Sequence, residues 1–291
     1  MKQIYFAGSQ GGVFKRGMKA TLNYVTTVLD QGLPTLSLLW AERLLCSPVR
    51  PRRRASLEAT GFQAHNLRVY GHQIRIYAKG DLRRAVVFVH GWSGAATNFQ
   101  SFFDPYLEAG YGVIAFDHVA HGRSSGKVSN FFLFIRGLEA VLDWVEARTG
   151  QVEGIVAHSM GASTVISALR PEHQKIPLVF LAPVVPFFES LYASVQAFGV
   201  ASTWVTRLIV VFEQRYGLLK EEVDPKERLG KIFNPILIVH DQADTYIDLK
   251  INLPHLPKRY ADVRVTEGLG HFRLLKNSQV VSDTVQFIQH D

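Results

Sequence analysis

The chain has 291 residues, 47% hydrophobic and 20% charged, a composition that supports a sizeable buried core and argues against disorder. A single cysteine, Cys46, excludes an intrachain disulfide framework and a cysteine-built zinc site, and fits a reducing compartment. The formal charge of +7 is unevenly spread: residues 1–60 hold nine Lys/Arg against three Asp/Glu, and the rest holds 23 against 22. The body is therefore close to neutral, and binding of nucleic acid across it is not expected.

The basic N-terminal extension, residues 1–60, comes first. It carries one apolar, helix-compatible stretch from about Lys19 to Cys46, followed by Arg50, Arg52, Arg53 and Arg54. Asp30, Gly32, Pro34, Glu42 and Arg43 interrupt that stretch, so it offers no run of about 18 uncharged apolar residues to span a bilayer. It also lacks the short apolar core and small-residue cleavage site of a signal peptide. The expectation is a helical extension packed on the domain, in a cytoplasmic protein. The alternative is a weak interfacial anchor, peripherally membrane-associated, whose arginines meet anionic lipid. Met1 to Gly17 is Gly-rich and patternless, which makes Met18 an alternative start. Cys46 closes an apolar stretch and is a poor nucleophile.

From residue 61 to 291 the pattern becomes regular: short β-branched apolar runs alternate with longer stretches of helical spacing, as in a mostly parallel sheet wrapped by helices. A hairpin opens it, Ala64–Tyr70 and Gln73–Ala78 around Gly71-His72. Strands follow at Ala85–His90, Gly112–Asp117, Gly154–His158, Leu178–Ala182, Ile236–His240 and Asp262–Glu267. Helices fall at about Ala95–Ala109, Asn130–Thr149, Met160–Leu169 and Ser278–Gln289. Pro183 to Pro235 is too long for one crossover and carries two helical patterns, Phe187–Phe198 and Val200–Tyr216. It reads as a helical cap insertion, about 184–234, some of whose aromatic residues should face a substrate cleft.

Chemistry concentrates at strand ends. Gly154-Ile-Val-Ala-His158-Ser159-Met160-Gly161-Ala162 is an apolar strand running through a small-residue turn into a helix, a setting that lifts the serine hydroxyl above the sheet edge. Serine is a weak nucleophile at neutral pH and needs a base, itself held by a carboxylate. Ile236 to Asp244 is a strand followed by loop acids, Asp241 and Asp244 with Asp248 beyond. Glu267-Gly268-Leu269-Gly270-His271 sets a histidine among glycines before the last helix.

These segments resemble the α/β-hydrolase family. Ala157-His158-Ser159-Met160-Gly161 stands where the family has G-x-S-x-G, with alanine for the first glycine. His240-Asp241-Gln242-Ala243-Asp244 stands for H-G-x-x-D. The order Ser159, Asp244, His271 along the chain is the family's order. His90-Gly91-Trp92-Ser93-Gly94 is similar to its strand-H-G-x-x-G loop. Asp117-His118-Val119-Ala120-His121-Gly122-Arg123-Ser124 is similar to D-x-x-G-H-G-x-S, with Ala120 for the first glycine.

The resemblance covers about residues 62–290 and implies an α/β-hydrolase fold, with Ser159 as nucleophile, His271 as general base and Asp244, preferred to Asp241 and Asp248, as its orienting acid. It also implies an oxyanion hole made of the Trp92 and Met160 backbone N–H groups. A serine at the elbow argues against the dehalogenase and epoxide hydrolase branches, which use a carboxylate there, and against the cysteine branches. Asp117, His121 and Ser124 are expected to tie loops together under the site. His118, His121 and His158 lack metal-ligand spacing. The expected activity is carboxylic ester hydrolysis through an acyl-enzyme, on a small-molecule ester or acyl substrate, with no cofactor and no metal. An acyl thioesterase or a C–C hydrolase with the same triad is the alternative, and a non-catalytic ligand-binding scaffold is a reading from a different class.

Overall fold

The structure is a computed structural model that describes residues 16–49, 56–149, 151–256 and 261–290. Eight strands form one sheet: β1 Gln63–Val69, β2 His72–Lys79, β3 Ala85–Val89, β4 Gly112–Asp117, β5 Val152–His158, β6 Leu178–Leu181, β7 Ile236–Asp241 and β8 Ala261–Thr266. Their order is β1-β2-β4-β3-β5-β6-β7-β8. β1 and β2 pair antiparallel, β2 meets β4 antiparallel, and all the remaining pairings are parallel. This is the α/β-hydrolase architecture, and the strands lie within two residues of their sequence-read positions.

The central strands are apolar on both faces, because helices cover both. In β3, Val87 and Val89 join one core with α4 (Phe131–Thr149) and α5 (Met160–Ala168). Val86 and Phe88 join the other, where Phe99, Phe102 and Tyr106 meet the C-terminal helix Ser278–His290. The predicted helix at Ala95–Ala109 divides into a 3₁₀ turn, Ala96–Phe99, and α3, Gln100–Glu108.

The chain moves from β3 outward to β4, then crosses back to β5 and proceeds to β8 on the other side. β3 and β5 are therefore neighbours whose following connections diverge, and such a switch point opens a crevice at the carboxyl ends of the strands. The loop after β3 and the turn after β5 both end there.

The cap region holds α6, Phe187–Phe198, and α7, Ser202–Tyr216, followed by short helical turns at Lys220–Val223 and Pro225–Leu229. Its aromatic residues pack inward. Phe187 stacks on Phe131 at 4.0 Å, and Phe188, Trp204, Phe212 and Tyr216 are buried.

The N-terminal stretch is two helices, α1 Arg16–Gly32 and α2 Pro34–Leu45, where the sequence suggested one continuous run from Lys19. Leu33 breaks it, because a residue before proline is pushed out of the α region and Pro34 has no N–H to continue the ladder. Both helices pack on α7 of the cap. Asp30 pairs with Arg207 and Glu42 with Arg215. Arg50, Arg52, Arg53 and Arg54 lie outside the described residues. No helix among the described residues is long and apolar enough to cross a membrane.

Candidate active site

Ser159 sits between the last residue of β5 and the first of α5 with φ 55° and ψ −125°. That is a strained conformation for a residue with a side chain, and it persists because the surroundings over-determine it. The Ser159 N–H is tied to Leu181 O at 2.9 Å, so β6 holds the bend from one side. Loop β3–α3 presses from the other. A Cβ on Gly161 would stand 2.4 Å from Val89 O and 2.7 Å from His90 O. A Cβ on Gly91 would stand 2.9 Å from both His158 O and Ser159 Cβ. Neither position admits a side chain, which accounts for the glycines in both motifs. Ala157, by contrast, lies inside β5 where a methyl group packs in the core.

His271 follows β8, on a short helical turn at Gly270–Arg273. Its Nδ1 lies 2.7 Å from Asp244 Oδ2, and its Nε2 lies 3.0 Å from Ser159 Oγ. A carboxylate can only accept, so Nδ1 carries the proton and Nε2 is left to accept from the serine hydroxyl. The remaining oxygen of Asp244, Oδ1, accepts the Tyr246 and Ile247 N–H groups at 2.8 and 2.9 Å. Burial alone would raise the Asp244 pKa, but hydrogen bonds from His240, 3.5 Å away, and His271 outweigh it and hold the group well below the usual carboxylate range. It stays ionised beside a histidine that can become positive.

Asp241 serves elsewhere. Its carboxylate accepts from Ala243 N, Thr266 Oγ1 and Leu269 N, all within 2.9 Å, binding the loops after β7 and β8 together. Asp248 caps a short helical turn through Lys250 N. Of the three sequence candidates, only Asp244 reaches His271.

Met160 is the first residue of α5, so its N–H has no acceptor within the helix. Trp92 lies on the facing loop, its indole 5.1 Å from the His121 ring and 6.0 Å from that of Phe134. That loop is fixed from beneath. His121 Nε2 accepts the Ser93 N–H at 2.9 Å while its Nδ1 lies 2.9 Å from Val119 O. Asp117 accepts the Ala96 and Arg123 N–H groups at 2.8 Å each, and Ser124 Oγ accepts the Arg75 N–H. Ala120, where the similar motif has glycine, adopts φ 65°, in the left-handed region.

A cleft opens over Ser159, lined by Gly91, Trp92, Ser93, Gly94, Asn98, His158, Tyr246, His271 and Phe272 besides the serine itself. Three of these were not anticipated. Tyr246 stacks on His271 at 5.4 Å, Phe272 stands edge-on to it, and Asn98 comes from the 3₁₀ turn before α3. Tyr246 had one local signal, its position two residues after an aspartate that closes a turn on it. None of the lining residues comes from the cap, which corrects the expectation that cap aromatics face the cleft. Of the cap aromatics, Phe187, Phe188 and Phe212 line a separate apolar pocket with Leu45 and Phe131, because α6 and α7 bury their apolar faces against α4 and α2.

His158 contributes a bond the sequence could not reveal: its Nε2–H donates to the His271 carbonyl at 3.0 Å. Burial depresses the His158 pKa to about 3, with the nearby His271 ring adding to the effect, so the imidazole is neutral. Both ring nitrogens of His118 are buried without a partner, and its ring stacks on Phe134 at 3.7 Å. No group of three or more His, Cys, Asp or Glu among the described residues is arranged to hold a metal ion.

The model of the serine aminopeptidase S33 family, a hydrolase family, matches residues 80–226, half of the chain. The uncharacterized protein YqkD of Bacillus subtilis is 27% identical over 187 residues, which cover 61% of this chain and 61% of YqkD, so the chain spans about three fifths of that relative. Among solved structures, the Pyrococcus furiosus esterase Pf2001 superposes with a TM-score of 0.61 at 16% identity, over 84% of this chain and 98% of the esterase. Est1E of Butyrivibrio proteoclasticus, solved with ferulic acid bound, gives 0.59 at 16% identity over 78% and 97%. At such identities the two structures speak for the fold alone, but the match across half of the chain establishes descent: this protein belongs to the serine aminopeptidase S33 family of α/β-hydrolases.

Proposed function

We propose that the protein is a serine esterase that cleaves a small, uncharged carboxylic ester through an acyl-enzyme. His271 Nε2 takes the Ser159 proton as Oγ attacks the carbonyl carbon. Negative charge develops on the carbonyl oxygen, which the Met160 and Trp92 N–H groups receive. The imidazolium then donates its proton to the leaving alcohol, and the acyl-enzyme forms. Water, deprotonated by His271, repeats the attack and releases the acid. Asp244 holds the imidazole in the tautomer that both steps need and stabilises its positive form.

The observation that carries this reading is the unbroken hydrogen-bond chain from Ser159 Oγ through His271 to Asp244, opening onto a cleft. The cleft lining favours an ester over an N-terminal peptide bond. None of its ten residues is a carboxylate, the group that would receive a peptide's free ammonium, whereas Trp92, Tyr246 and Phe272 suit an uncharged acyl or alkoxy group.

Hydrolysis of p-nitrophenyl esters from two to sixteen carbons tests the proposal. Wild type should turn over the shorter members, and Ser159→Ala should lower kcat by about 10⁴-fold or more with unchanged melting. Labelling by a fluorophosphonate at Ser159 should follow the same pattern. Wild-type turnover that survives Ser159→Ala, or a serine that stays unlabelled, would reject the proposal and leave a binding scaffold.

A further inference from the structure

The two N-terminal helices bury one face on the domain and expose large apolar residues on the other. A surface helix of a water-soluble domain turns its apolar stripe inward and its polar side chains to solvent. In α1 and α2 the buried side mixes apolar and polar residues: Ala41 and Leu45 join the core with Leu22 and Leu38 packed against it, and polar side chains bury beside them. Thr26 and Ser37 are 3% and 2% exposed. Thr26 Oγ1 accepts the Ala201 N–H at 3.0 Å, and the Thr26 carbonyl accepts Trp204 Nε1–H at 3.2 Å. Asp30 is paired with Arg207 and hydrogen-bonded by Ser37, and Glu42 is paired with Arg215 at 2.7 Å. The fit is close, since a Cβ on Gly199, at the end of α6, would stand 2.7 Å from Lys19 O.

The opposite side carries the large apolar residues. Tyr24 is 71% exposed, Trp40 63%, Leu39 56%, Leu33 52% and Leu36 50%. Of the nineteen large apolar side chains exposed among the described residues, ten lie between Met18 and Val49, and the other nine are scattered over the rest of the fold. A concentration of this kind marks a surface that another phase or partner covers.

Charge identifies the occupant. The only acids of the two helices, Asp30 and Glu42, are consumed by arginines of the cap. What remains is positive: Arg16, Lys19 and Arg43 within the helices, and Lys15 before α1 and Arg50, Arg52, Arg53 and Arg54 after α2 in the sequence. A second copy of the chain would bring the same positive charge to the same face and repel it. An anionic lipid surface supplies the opposite charge and the apolar phase together, and Tyr and Trp are the side chains best suited to the headgroup level. Neither helix is long and apolar enough to cross a bilayer, so the geometry left is a pair of helices lying in the interface.

We propose that α1 and α2 dock the protein on an anionic membrane surface through the face that carries Tyr24, Val28, Leu33, Leu36, Leu39 and Trp40, while the opposite face of the same helices is bolted to the cap.

Flotation of the full chain with vesicles of phosphatidylcholine, with and without phosphatidylglycerol, tests this. Binding to the anionic vesicles should exceed binding to the neutral ones by roughly tenfold or more, because several basic residues act together. Tryptophan emission should shift to the blue on binding, and Trp40→Phe should abolish that shift. The double variant Leu36→Asp, Trp40→Asp alters only outward side chains, so it should melt as wild type does and hydrolyse soluble esters equally, yet lose at least tenfold in vesicle binding. Three results would overturn the proposal. The first is no binding to anionic vesicles at low salt. The second is binding that the double variant retains, which would assign it to the basic residues alone. The third is a dimer in solution that the double variant converts to monomer, which would make the face an interface between copies of this chain.

Discussion

The sheet edge around Ser159 and the junction between the N-terminal helices and the cap both bury charged and polar side chains, and they do so by different means. At the sheet edge the backbone dictates. Strand ends, a left-handed bend at Ser159 and two contacts that only glycine can make leave each position almost no choice of residue. At the junction two separately built surfaces match side chain to side chain across about 170 positions of sequence, as Asp30 meets Arg207 and Glu42 meets Arg215. The first arrangement aligns atoms to a few tenths of an ångström, as nucleophilic chemistry requires. The second holds a segment in place and tolerates substitution of its outer face.

After Ser159 itself, the largest effect should come from the acid that orients His271. Asp244→Asn leaves the shape intact but offers Nδ1 the wrong partner, and kcat should fall by about 10³- to 10⁴-fold. Asp241→Asn should cost far less activity and show mainly as a lower melting temperature, since Asp241 ties loops and never touches His271. Equal losses of kcat in the two variants would break the distinction between them. Next in size is Gly161→Ala. Its methyl group would press on Val89 O, and the strands can yield only by moving the elbow, so a stability loss of about 1–3 kcal/mol is expected together with a loss of turnover. A calorimetric melting curve indistinguishable from wild type would show that the elbow is less constrained than its geometry implies.

The same difference decided what the sequence revealed. The elbow and the loop acid were legible because each follows an apolar strand, the last histidine because it stands among glycines before the final helix, and the elbow is besides held by close backbone approach at Gly91 and Gly161. Ala120 at φ 65° shows the limit of such reasoning: a motif position that wants glycine can be strained and still kept. The sites of Tyr246 and Asn98 in the cleft were not legible, because loop path rather than periodicity brings them there. The cap misled for a related reason. Aromatic residues at helical spacing state that a face is buried, and here the burying surfaces were α4 and α2 rather than a substrate. The N-terminal helices were expected on the domain, but their pattern could not tell which face turns inward, because both faces carry apolar residues.

At the junction, Thr26→Val removes the acceptor of the Ala201 N–H and leaves that buried donor unpaired, at a cost of about 1–3 kcal/mol. Ester turnover per folded molecule should not change, because α1 contributes nothing to the cleft lining. Turnover that drops in proportion to the stability loss would mean the two regions are coupled rather than independent.

The last effect expected is one of slope. His158 keeps a folded pKa of about 3, against an ordinary 6.5, because burial disfavours its charged form. Between those two values the unfolded chain binds a proton that the native protein does not, so native stability must fall as pH falls through that window and level off below it. A single such histidine contributes at most about 1.4 kcal/mol per pH unit. His90 and His118 are shifted in the same direction by burial and add to the slope. His158→Gln preserves a donor for the His271 carbonyl and cannot titrate. Denaturant unfolding at intervals from pH 7 to pH 4 should therefore give a shallower decline for His158→Gln than for wild type. If the two declines are parallel, His158 already takes up a proton in the native protein, and the neutral imidazole assigned to the position before Ser159 is wrong.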